Sequence, residues 1–162
     1  MIKENFIYNN SSNTFELKNY EKSLEAFKES RALFKRLKEV INVARCDQKI
    51  AHCLTELGDA QGALTAAQKS LDVFVTAHDH RRETYSSFEL GKAQMGLAQY
   101  EEALMTLENV LESVTEAEFK DFEFIIDIER KIALTLRKLD RENEADEIAR
   151  RLDAVTEVID EA

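Results

Sequence analysis

Four times along the chain a small residue opens a short segment of one design, and the copies are almost evenly spaced. Ser23 in Tyr20-Glu21-Lys22-Ser23-Leu24 and Ala63 in Ala60-Gln61-Gly62-Ala63-Leu64 are 40 residues apart. Ala103 in Tyr100-Glu101-Glu102-Ala103-Leu104 follows after another 40, and Ala145 in Glu142-Asn143-Glu144-Ala145-Asp146 after 42. Self-similarity at such a period marks a stack of supersecondary units, none of which can bury its apolar face alone.

The unit is clearest between Asp47 and Phe74. Ile50, Ala51, Leu54 and Leu57 recur at helical spacing, and so do Ala63, Leu64, Ala67, Leu71 and Phe74. Between them Gly58 can supply a left-handed residue that ends one helix, and Asp59 a cap that starts the next. Ala51, Ala63 and Ser70 are small where the two helices should cross most closely. A leucine closes the first helix of every unit (Leu17, Leu57, Leu97, Leu139), and a break follows at Lys18-Asn19, Gly58-Asp59, Ala98-Gln99 and Asp140-Arg141. A bulky-then-small pair marks the middle of that helix at Ile50-Ala51, Leu90-Gly91 and Ile132-Ala133, while Asn10-Ser11 departs from it.

These residues resemble the tetratricopeptide repeat (TPR). That family has Leu-Gly within its first helix, a Gly-Asp-Tyr-type break, and Glu-Ala-Leu opening its second. Leu90-Gly91 with Tyr100-Glu101-Glu102-Ala103-Leu104 matches closely, as do Leu57-Gly58-Asp59, Ala63-Leu64 and Ser70-Leu71. The resemblance covers essentially the whole chain. It departs from the pattern in its 40–42-residue units, against about 34 in the family, and in lacking the closing proline. Longer units of this kind look like those of bacterial regulators and of signalling adaptors that bind partner peptides. The resemblance implies an all-α, right-handed α-solenoid of four antiparallel helical hairpins in a single domain over 1–162. Its units fall at about 4–43, 44–83, 84–125 and 126–162.

Helices are expected over Tyr20–Lys38 with Asn19 as cap, Val40–Leu57, Ala60–Ala77, His80–Leu97, Gln99–Val114, Ala117–Leu139 and Arg141–Ile159. Thr115 and Glu118 have capping-box spacing. An earlier helix over Glu4–Leu17 should fray, especially across residues 1–13, because the Asn and Ser side chains of Asn9-Asn10-Ser11-Ser12-Asn13 compete for the backbone.

Composition narrows the function. The chain has 162 residues, no proline and a formal net charge of -10. That charge argues against nucleic acid and against an anionic membrane surface, both of which recruit cations. No apolar run is long enough to span a bilayer, and the first residues lack a signal-peptide pattern. The cytoplasm is the expected compartment. Cys46 and Cys53 lie two helical turns apart, about 10 Å, too far for a disulfide, and read as small core residues.

Little supports catalysis. His52 and Cys53 are helix neighbours whose side chains diverge by about 100°. His78-Asp79-His80 with Glu83 could chelate a metal, but a polar connection with Asp79 capping the next helix explains the same residues. No phosphate-cradling loop or zinc-type cysteine spacing occurs. The expectation is a non-enzymatic protein without cofactor or metal.

Binding has more behind it. In a TPR-like stack the first helices line a concave groove, and the matching positions can be read off unit by unit. Tyr8 and Ser12 come from the first unit, and Arg45, Gln48, Lys49, His52 and Glu56 from the second. The third supplies Tyr85, Phe88, Glu89, Lys92 and Met95, and the fourth Asp127, Arg130, Lys131, Leu134, Arg137 and Lys138. Seven cations face four carboxylates (Glu16 at the rim included), reversing the sign of the whole chain. The expected partner is a protein or peptide segment, acidic or C-terminal, with an apolar anchor received by Tyr85, Phe88 and Met95. The competing explanation is that these cations pair with neighbouring units and only hold the stack. The family's clamp for an Asp-terminated chaperone tail is not matched by Tyr8, Ser12, Lys49, Tyr85 and Glu89.

Two alternatives remain. One is a small cytosolic chaperone similar to those of secretion systems. The other is a scaffold that self-associates as a homodimer through the last helix, where Ile148, Leu152, Val155 and Ile159 form an apolar stripe. The run Phe119, Phe122, Phe124, Ile125, Ile126 and Ile128 is expected to be core.

Overall fold

The computed structural model describes residues 17–117 and 121–160, with side chains described for 19–117 and 121–154. Tyr8, Ser12, Glu16, Phe119 and the helix expected over Glu4–Leu17 fall outside these residues, as do the side chains of Val155 and Ile159. Seven helices run in order through the described residues: α1 Leu17–Arg36, α2 Val40–Glu56, α3 Ala60–Thr76, α4 His80–Gly96, α5 Tyr100–Glu116, α6 Phe122–Lys138 and α7 Glu142–Asp160.

The period turns out to be finer than 40 residues. Helices α2 to α5 are each 17 residues long and begin at 40, 60, 80 and 100, so three residues connect each to the next. The connections are copies of one structure. Lys38, Gly58, His78, Ala98 and Asp140 all take a left-handed conformation, with φ between 54° and 83°. In each case that residue's N–H bonds the carbonyl three back, and the next N–H bonds the carbonyl five back: Gly58 to Thr55 and Asp59 to Leu54, for example. This is the Schellman arrangement, which satisfies carbonyls that a helix end leaves open. The residue after it then starts the next helix, where Asp59 and Asp79 accept from Gly62 and Arg82 N–H; Asp121 caps α6 likewise, accepting from Phe124 N–H. The Asp-cap readings at 59 and 79 therefore hold.

Three expected boundaries are corrected. Helix α1 already begins at Leu17, so Lys18-Asn19 is not a break and Asn19 is not its cap. Thr115 does not cap a helix but lies inside α5, its hydroxyl donating back to the Leu111 and Glu112 carbonyls. The sixth helix starts at Phe122 rather than Ala117, because Ala117 turns into an extended conformation and Asp121 supplies the cap.

Every helix packs on its chain neighbours, and α2 also touches α4, as α4 touches α6. Helices α1, α3, α5 and α7 do not meet one another. Two rows result: α2, α4 and α6, whose members touch in sequence and which form the inner row, and α1, α3, α5 and α7, whose members do not. Small residues permit the close crossings: Ala51, Ala63 and Ser70 are fully buried, and a Cβ at Gly91 would stand 2.9 Å from Leu107 Cδ2.

Apolar burial gathers in two clusters. One joins Tyr20, Phe27, Ile50, Ala51, Cys53, Ala66 and Ala67. The other is built on Phe88, Leu104, Leu107, Ile128, Ile132 and Leu136. Of the aromatic and aliphatic run before α6 and in its first turns, Ile128 is buried and Phe124 and Ile125 pack on this second cluster. Phe122 is the exception, 68% exposed. Ile148 and Leu152 of the last helix also turn inward.

Candidate functional site

The polar residues of the inner row divide into a buried seam and an exposed set of cations. The seam begins where α4 meets α2 and α3. Gln48 donates to the Arg82 carbonyl at 3.1 Å and to Ser86 Oγ at 2.9 Å. Ser70 Oγ lies 2.9 Å from Ser86 Oγ, and both serines are fully buried. Buried hydroxyls and amides persist only when paired in this way.

About one turn further along, His52, Glu89 and Lys92 form a compact triad. Lys92 Nζ lies 2.8 Å from Glu89 Oε2 and 3.1 Å from His52 Nδ1, which is itself 3.2 Å from Glu89 Oε1. His52 Nδ1 can accept from Lys92 or donate to Glu89, but not both at once. Glu89 and Lys92 are buried. Burial would raise the Glu89 pKa, yet the hydrogen bond from His52 and the charge of Lys92 outweigh it, so the carboxyl sits below its ordinary value. Lys92 also stands over the Phe88 ring at 5.1 Å, and the Tyr20 ring meets His52 edge-on.

These contacts revise the expected groove. Phe88 is 3% exposed and belongs to the core, where it meets Phe124 edge-to-face, so it cannot receive an apolar anchor. Lys92 is 7% exposed and committed to Glu89, so it is not available to a ligand carboxylate. Met95 is partly buried against the same core. Tyr85 stacks on Phe124 at 4.4 Å and donates to Asp121 Oδ2 at 3.1 Å. It borders a cleft of about 1030 Å³ shared with Arg81, Phe122 and Phe124. Arg137 reaches Asp146 of α7 at 3.3 Å, as the stack-holding explanation predicts.

The rest of the set behaves differently. Arg45 is half-buried and donates to Asn42 Oδ1 at 3.2 Å. Lys49 and Lys131 are half-buried, and Arg130 and Lys138 are exposed. None of these last four makes an ion pair or side-chain hydrogen bond among the described residues. Leu134, 47% exposed, lies among three of them on α6.

The metal reading gains no support from geometry. Asp79 is spent on the Arg82 N–H and guanidinium, and His80 pairs with Glu83. Among the described residues no cluster of three or more His, Cys, Asp or Glu side chains converges. Both thiols are buried, and burial pushes each up to about 11. No described helix is long and apolar enough to cross a membrane.

Sequence reasoning missed Ser86 as a bridge, because one serine on a polar helix carries no signal of burial. It also missed Asp121 as a partner of Tyr85, although an Asp three residues before Phe124 is a readable cap.

Comparison with solved structures decides the fold. A Rap protein complexed with Competence and Sporulation Factor superimposes with a TM-score of 0.81 at 19% identity, covering 94% of this chain and 42% of that one. The fold is that of a TPR-like repeat protein. The apo form of RapI gives 0.78 at 18% identity, over 97% of this chain and 57% of RapI. A Podosopora anserina kinesin light chain with nearly identical TPR-like repeats gives 0.63 at 15%, over 86% and 68%. The TPR-like chain thus spans about half the length of the two Rap proteins. No protein-family model and no curated protein sequence matches it.

Proposed function

We propose that this chain is a non-enzymatic adaptor or regulator that binds an acidic protein segment along the inner row α2–α4–α6. The observation that carries this reading is the sign of the uncommitted charge. Lys49, Arg130, Lys131 and Lys138 lack a carboxylate partner among the described residues, on a chain of net charge -10. A carboxylate-bearing segment would supply charge-assisted hydrogen bonds there and be steered in by the local field. The likeness to a Rap protein held in complex with a factor supports a binding role. The buried seam of Gln48, Ser86, Glu89 and Lys92 is then the rigid floor that spaces α2 from α4, and its residues act by positioning.

The test is calorimetric titration with extended acidic peptides that carry one apolar residue and a free C-terminus. Lys49→Glu and Lys131→Glu each reverse an incompletely buried cation and should leave the helical circular dichroism intact. Each should weaken binding about fivefold to tenfold, the worth of one charge-assisted contact. Unchanged affinity in both variants removes the reading.

A further inference from the structure

Where α4 and α6 begin and α5 ends, the edge of the repeat holds a cleft of about 1030 Å³. That volume matches sites that receive a small molecule or a few residues of a peptide. Its apolar lining comes from Tyr85, Val114, Phe122 and Phe124. Tyr85 and Phe124 stack on each other at 4.4 Å. Phe122, in the first turn of α6, is 68% exposed beside them. The cleft therefore presents a free aromatic face to whatever enters it.

Its charge is opposite to that of the groove. Glu83, Asp121 and Glu123 line it, against the single guanidinium of Arg81. Two of the three carboxylates are engaged: Glu83 faces His80 at 3.2 Å, and Asp121 accepts from the Phe124 N–H and the Tyr85 hydroxyl. Arg81 lies beside that same hydroxyl. Glu123, next to Phe122 in the first turn of α6, has no ion pair or hydrogen bond among the described residues. The positive ends of α4 and α6 are answered by their caps, Asp79 and Asp121. The end of α5 is not closed by a left-handed residue, because Ala117 is extended, and a helix C-terminus carries partial negative charge. None of the groove cations Lys49, Arg130, Lys131 and Lys138 lines the cleft.

We infer that this cleft binds an arginine side chain presented by a segment of a partner protein, with the guanidinium on Glu123 and against the Phe122 ring. Apolar residues beside that arginine would cover the Tyr85 and Phe124 rings. The occupant is cationic because carboxylates outnumber cations around the cleft. It is arginine because a planar, weakly hydrated guanidinium can meet a carboxylate through two hydrogen bonds and lie flat on an aromatic face. The same carboxylates repel an acidic segment, so this site and the groove take different chemistry, and neither depends on the other.

The isotope-labelled full chain is titrated by NMR with an end-blocked Gly-Leu-Arg-Leu-Gly peptide. Saturable shifts are expected over Arg81–Tyr85 and Phe122–Phe124, weaker at high salt. Affinity should fall at least about fivefold with Glu123→Gln, with Phe122→Ser, or with citrulline in place of the peptide's arginine. Both substitutions are at exposed positions and should leave the helical circular dichroism intact. Lys49→Glu should change nothing here, so the groove reading can fail while this binding persists, and the reverse. No saturable shift at these two helix starts, equal binding of the citrulline peptide, or indifference to Glu123→Gln would overturn the inference. A concentration-dependent dimer in sedimentation that Phe122→Ser abolishes would overturn the partner assignment, because a second copy would then fill the cleft.

Discussion

Lys92→Met removes one charge from a buried pair and leaves the other. Glu89 Oε2 then loses a cation at 2.8 Å, and only His52 Nδ1, at 3.2 Å from Oε1, remains to face the carboxylate. Removing one partner of a buried ion pair costs about 3–5 kcal/mol, because the survivor stays desolvated. The low end applies here, about 3 kcal/mol, because His52 remains and is itself partly open to solvent. With a urea dependence of about 2 kcal/mol per molar for a chain of this size, the unfolding midpoint should fall by about 1.5 M. The double variant Glu89→Gln/Lys92→Met discriminates pairing from mere packing. Gln can still bond His52, Met keeps contact with the Phe88 ring, and no bare charge is buried, so the midpoint should return to within about 0.5 M of the parent. Equilibrium urea unfolding followed by far-ultraviolet circular dichroism reads both. The account fails if Lys92→Met shifts the midpoint by less than about 0.5 M, or if the double variant shows the sum of the two single losses.

Three further predictions concern the repeat. Ala98 holds φ 59° where Gly58 holds 83°, so Ala98→Gly should stabilise by about 1 kcal/mol and Gly58→Ala destabilise by about 1–2. Thermal melts should move upward by about 2–4 °C and downward by somewhat more. Stability should fall in acid as Glu89 takes a proton. Its folded pKa lies below the ordinary 4.5, so its contribution is fully present above that value and is lost as pH falls through the folded pKa. Urea midpoints at pH 6 and pH 3.5 check this, and Glu89→Gln should flatten the difference. Cys46 and Cys53 should resist alkylation at pH 8 in the native state and react fully in denaturant, because both thiols are buried and titrate at about 11. Rapid native labelling of either would contradict the packing of α2.

The repeat was legible because its determinants are local and periodic. A small residue at a helix crossing, a leucine at a helix end and an Asp before a helix leave the same mark in every copy. The finer 20-residue register was hidden because its key residue is defined by a dihedral angle. Lys38, Gly58, His78, Ala98 and Asp140 share a left-handed conformation, but only the glycine advertises it. The candidate site was legible in which face it occupies and illegible in which side chains are spent. Lys92 and Lys49 look alike as letters on an inner helix. One is sealed against Glu89, and the other has no ion-pair partner among the described residues, because burial depends on what α4 and α2 press against them.

The register position shared by His52, Lys92 and Leu134 shows how a repeat converts one address into different work. In α2 the residue is drawn into a polar seam with the following inner helix and sets the spacing of two units. In α4 the residue at this position is folded back over its own Phe88 and reaches the preceding helix. In α6 the position carries an aliphatic side chain among four cations, of which Arg137 is tied to Asp146 of α7 and holds the stack. Arg130, Lys131 and Lys138 have no ion-pair partner among the described residues, so they stand with Lys49 as the cations left for an acidic segment on a chain of net charge -10.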